Sequence, residues 1–132
     1  MKKINPVSEE AFQSLIELGQ QILEDVVIQS MKNKDEVAHH GSDARRIVEA
    51  GFMFTHQMLL AALKSGQPDL LVDQADWAVN RLPHDNVQLP HLLTRLRLYR
   101  QSILNHLQPD HARQITPYVD VLIDRINQHL NA

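Results

Sequence analysis

The segment Ala50-Gly-Phe-Met-Phe-Thr-His-Gln-Met-Leu-Leu-Ala-Ala-Leu63 constrains this chain more than any other part of it. Only Thr55, His56 and Gln57 interrupt its apolar character. A membrane-spanning helix takes about 20 consecutive apolar residues, so this stretch is too short and too broken to cross a bilayer. A helix that is apolar around most of its circumference must be wrapped by other helices. The segment therefore predicts the central helix of a bundle, with residues 52–63 the least exposed in the chain.

The flanking sequence supplies the wrapping helices. Apolar residues recur at three- and four-residue steps, and no stretch alternates with period two. The first helix is expected over residues 6–31, with Asn5 as N-cap and Pro6 in the first helical position. Its inner stripe is Phe12, Leu15, Ile16, Gly19, Ile22, Leu23, Val26 and Val27. The polar run 32–36 breaks the pattern, and Gly41-Ser42 supplies a loop and a new cap. The central helix follows over about 43–64 and ends at Gly66, suited to a left-handed C-terminal position. A third helix starts at Pro68-Asp69, carries Leu71, Ala75, Trp77 and Ala78, and is stopped by Pro83. A fourth opens at Pro90 and presents Leu92, Leu96, Tyr99 and Ile103. A fifth opens at Pro109-Asp110, and Pro117 either kinks it or marks its true start. The expected fold is all-α, a single-domain bundle of about five helices over residues 1–132.

Composition narrows the function. At 132 residues the chain fits one domain with a sizeable core. A net charge of -3 gives no concentrated basic footprint, so nucleic acid is not an expected partner. The absence of cysteine removes disulfides, thiolate zinc sites and thiol nucleophiles together. Met-Lys-Lys-Ile-Asn-Pro lacks the apolar core of a secretory signal, and a cytoplasmic location without membrane contact is expected.

The eight histidines call for a metal test. Helical metal sites place ligands three or four residues apart on one face. His39-His40 are adjacent, His106 and His111 are five apart, and His84 and His91 flank a proline-bounded loop. No HExxH or Glu-x-x-His motif occurs, so no metal site is expected. No nucleophile elbow or glycine-rich phosphate loop occurs either, and no catalytic residue is assigned. His56 lies midway along the apolar helix. It reads as a ligand contact, a tetrapyrrole ligand or a pH switch, or more plainly as a packed histidine with one nitrogen in water. Phe52, Met53, His56, Met58, Trp77 and Tyr99 form the candidate ligand-binding set, the plainer reading being core. Arg95, Arg97 and Arg100 make the fourth helix basic, while Asp69, Asp73 and Asp76 make the third acidic. These charges read as solvated faces, or as pairs across helices or subunits.

Residues 44–122 resemble a helical domain of bacterial sensory proteins, the region ahead of their cobalamin-binding domain. The resemblance is carried by Leu59-Leu60-Ala61-Ala62-Leu63, Gly66-Gln67-Pro68-Asp69, Ala75-Asp76-Trp77, and then Leu92, Leu96, Leu104 and Leu107. It implies a sensory or regulatory helical module related to non-haem globin-like sensors. The cobalamin domain itself, with its histidine loop, has no counterpart here, so cobalamin is not inherited and no cofactor is named. The expected function is a non-enzymatic regulatory module acting by protein–protein contact in a signalling pathway. A homodimer through the first or fifth helix is expected, because Leu18 and Ile28 stray from the inner stripe of the first. The alternative is a carrier for an apolar small molecule or tetrapyrrole, held in a pocket beside the central helix.

Overall fold

Ser8 starts the first helix. In the computed structural model, which describes residues 4–131, its hydroxyl accepts a hydrogen bond from the Ala11 amide at 3.1 Å. Glu9 and Glu10 then sit in the first turn, where the helix dipole favours negative charge. The start at Pro6 is thereby corrected: a serine followed by two acids is the better cap, and the Asn5 carbonyl instead accepts from the Tyr118 hydroxyl. Helix α1 spans Glu9–Ser30, α2 Lys34–His40, α3 Ala44–Ser65, α4 Asp69–Arg81, α5 Leu89–His106 and α6 Pro109–Leu130. Single 3-10 turns at Gly41–Asp43 and Leu82–Asp85 link α2 to α3 and follow α4. The fold is all-α, with no strand among the described residues. The sequence around Met1–Lys3, read above for a secretory signal, lies outside the described residues.

The polar run expected as a plain break holds the start of α2. Asn33 caps it by accepting from the Glu36 amide at 3.3 Å, with Asp35 and Glu36 in its first turn and His39 and His40 in its last. Gly66 ends α3 in the left-handed conformation, φ 67°, as its position predicts. Helix α6 runs unbroken through Pro117.

Helix α6 packs against α1, α3, α4 and α5. Its Ile115, Tyr118, Val119 and Ile126 are almost completely buried. Alongside, α1 contributes Leu15, Ile22 and Val26, and α5 contributes Tyr99 and Ile103. Each such side chain stabilises the fold by about 1.5–3 kcal/mol relative to exposure.

Residues 52–63 are not the least exposed part of the chain. Phe52, His56, Leu59 and Leu63 point into the core, but Met53 is 49% and Phe54 43% exposed. At about 100° per residue, Phe54 and Met58 lie roughly opposite His56 on the helix. The segment looks continuously apolar because it carries two separate apolar stripes, one in the core and one facing a groove described below.

Gly19 marks the closest approach of α1 to α3. A Cβ added there would lie 2.8 Å from Nε2 of the His56 ring. Alanine at a helix interior gains about 1 kcal/mol over glycine, whereas overpacking of this kind costs about 1–3 kcal/mol. Gly19→Ala is expected to lower stability by up to about 2 kcal/mol in urea unfolding, against the propensity trend.

Candidate functional site

His56 and Tyr99 come together in the core. The His56 Nδ1 and the Tyr99 hydroxyl share a hydrogen bond of 2.7 Å, their rings edge to face with centroids 6.0 Å apart. Phe52 lies against the same tyrosine, with ring centroids 6.4 Å apart. Tyr99 is fully buried, which raises its pKa well above the usual phenol range and keeps it protonated. Three members of the sequence-derived ligand set therefore belong to a packed junction. Met53 points to solvent, away from the others.

Met58 and Trp77 do meet at a cavity. A groove of about 330 Å³ opens between α3 and α4, with Leu92 and Leu96 of α5 and Leu122 and Ile126 of α6 among its walls. Ile47, Phe54 and Met58 supply the second stripe of α3 to it. Trp77 stands at the groove 49% exposed, stacked at a tilt on Phe54 with centroids 6.0 Å apart. Trp77 packs on Phe54 of α3, but it is not the core residue of its plainer reading. Leu71, Ala75 and Ala78 form the inner stripe of α4, and Trp77 lies about 100° round from Ala78.

The buried charged group in this groove is Arg95, which the sequence reading placed in a basic run, solvated or paired across helices. It is only 5% exposed and lies in the Leu92–Leu96–Tyr99 stripe of α5. Its guanidinium rests against Gly51, where a Cβ would come within 2.6 Å of Nη1. Its anionic neighbour is Glu36 of α2, 1% exposed, with Oε2 at 3.5 Å from Nε. Neither Glu36 oxygen and not the Arg95 Nε has a hydrogen-bond partner among the described residues. Burial pulls the pKa of Arg95 down, and Glu36 pulls it back up. His91 Nδ1 lies 3.7 Å from Glu36 Oε2, and His39 and His40 stack edge to face nearby. Burial, and then the charges of His39, Arg95 and His91, hold His40 below its ordinary value. Despite these histidines, no three potential ligands converge on a metal position among the described residues.

Two charge clusters away from the groove clamp helices together. Arg100 holds Asp120 of α6 through two hydrogen bonds, of 2.6 and 3.2 Å. Asp76 of α4 accepts from Arg125 at 2.7 and 3.2 Å and faces His129 at 2.7 Å, so its pKa is held down at about 2. Asp76 of α4 thus pairs with α6 and not with the arginines of α5. A wider depression of about 810 Å³ lies between residues 4–6 and α6, but its arginines are already engaged, Arg125 by Asp76 and Arg113 by Asp110.

A charged residue inside an apolar stripe was the available signal for Arg95. Glu36 had none, since an acid three residues after an N-cap reads as a capping residue. No family model matches this chain, and no curated protein does. No helix among the described residues is long and apolar enough to cross a membrane.

Burial lowers the His56 pKa from the ordinary 6.5, so the folded state favours the neutral ring. As pH falls below about 6.5 the unfolded chain binds more protons than the folded one, and stability present above that value is lost. His56→Gln is expected to flatten this part of the pH–stability curve, as the wild-type-minus-variant difference in unfolding free energy between about pH 7.5 and 5.5 would report.

Proposed function

We propose that this chain is a non-enzymatic binding module of regulatory type, which takes a small apolar molecule in the groove between α3 and α4. The observation that carries this reading is the Phe54–Trp77 pair. Two large aromatic side chains, each more than 40% exposed, stand over a cavity whose walls are mostly aliphatic. Exposed apolar surface gathered round a concavity marks a binding site more often than scattered single hydrophobes do. The regulatory part of the reading is supported by the sequence resemblance to helical sensory modules.

Trp77 is the only tryptophan in the chain, so its emission reports on the groove directly. Titration with aminoanthracene, a neutral apolar fluorophore, is expected to quench Trp77 saturably by energy transfer. Ala50→Phe fills the groove from its exposed rim without touching the core, and is expected to abolish that response. A linear response without saturation, or one unchanged in the variant, would count against the groove as a ligand site.

Protein–protein contact is supported separately, by apolar side chains exposed on α1 and α5. Ile16 and Ile28 of α1 are 44% and 53% exposed, and Leu104 of the adjoining α5 is 40% exposed. Leu18 is half-buried against the core, so Ile28 is the cleaner probe of pairing. Sedimentation equilibrium is expected to give a dimer mass for the wild type and a monomer mass for Ile28→Glu. A wild-type monomer at high concentration would remove the homodimer.

A further inference from the structure

We propose that the groove's ligand is a small carboxylate with an apolar body, and that Arg95 is its counter-ion. This rests on the groove being a ligand site, and it adds the chemical class. A guanidinium taken out of water is costly unless it is both paired and hydrogen-bonded. Arg95 is 5% exposed, yet its Nε has no hydrogen-bond partner and Glu36 approaches no nearer than 3.5 Å. Glu36 offsets the charge without using the donors. The guanidinium is brought to the groove by a local device: Gly51 has no side chain where a Cβ would meet Nη1 at 2.6 Å.

The acceptor that matches a guanidinium fork is a planar, two-oxygen anion. Arg46 also stands in the lining, faced by Asp43 at 3.4 Å, and the one lining acid, Asp85, is held by Arg81 at 3.0 Å. The rest of the site asks for an apolar body, with Phe54, Met58 and Trp77 on one side and Leu92 and Leu96 on the other. A volume of about 330 Å³ is at the small end of ligand sites, which suits an aryl or branched-chain monocarboxylate and not a long acyl chain or tetrapyrrole.

The test is calorimetric titration of the full chain with phenylbutyrate and with phenylbutyramide, which share a body and differ in the head. The carboxylate is expected to bind the wild type roughly ten-fold or more tightly than the amide at neutral pH. Removing Arg95 alone would strand Glu36 in the interior, so the variant is Glu36→Gln/Arg95→Gln, which replaces the ion pair by two neutral amides. It is expected to keep its amide affinity and lose the carboxylate preference. Gly51→Ala tests the same point with both charges present, because its Cβ displaces the guanidinium; the preference should fall there too. Equal affinities in the wild type, or a preference that survives in either variant, would overturn the proposal while leaving the groove as an apolar site. Loss of the preference in Arg46→Gln would move the anion to the rim and overturn the assignment to Arg95. Binding of neither compound to the wild type, or Trp77 emission shifting with protein concentration as the mass doubles, would remove the ligand reading of the groove altogether.

Discussion

Three helices meet where the His56 ring bonds the Tyr99 hydroxyl against Gly19. Tyr99 comes from α5, His56 from α3 and Gly19 from α1, so this one contact fixes distances along three directions at once. It also fixes rotation. A helix can turn about its axis only if its buried polar groups find new partners, and a buried imidazole has few available. With His56 held inward, Phe54 and Met58 must face roughly the opposite way, towards α4. The groove is a consequence of a hydrogen bond on the far side of the helix that forms its wall.

The second buried polar contact has a different character. Glu36 and Arg95 join the short helix α2 to α5 through charge alone, without hydrogen bonds between them. Buried pairs of this kind seldom add net stability over a well-packed apolar pair, because desolvation offsets most of the attraction. What the pair does supply is location: α2 has seven residues, too few to hold a position by helix propensity, and Glu36 is its one buried side chain.

Much of the fold was legible because long helices write their period into the sequence. The stripes of α4, α5 and α6 were read from leucine and isoleucine spacing, and Gly66 gave the end of α3 to the residue. Helix α2 escaped because seven residues hold no more than two turns and no apolar stripe, leaving only the Asn33 cap as a sign. The start of α1 slipped because Asn5-Pro6 is a plausible helix start in isolation, and only tertiary contact shows that the Asn5 carbonyl is occupied by Tyr118. The candidate site divided along the same line. Spacing could tell that Phe52, Met58 and Trp77 were apolar and near one another, but not which of two opposite stripes each would join. Arg95 and Glu36 were invisible as a pair, since they lie 59 positions apart and Glu36 looks like an ordinary capping acid.

Asp76 and Trp77 are neighbours in the chain and face different ways. The carboxylate is clamped to Arg125 and His129 of α6, while the indole stands over the groove. The backbone that carries the groove's outer edge is therefore bolted from behind, at the residue next to the one that matters. Cavities bounded by free helix ends breathe, and they admit guests of many sizes by swinging open. An edge fastened to a helix that also packs on α1, α3 and α5 leaves Trp77 little to vary except its own side-chain torsions. Such an opening would act on a guest of the proposed kind as a rigid gauge, selecting by shape before any attraction has been felt.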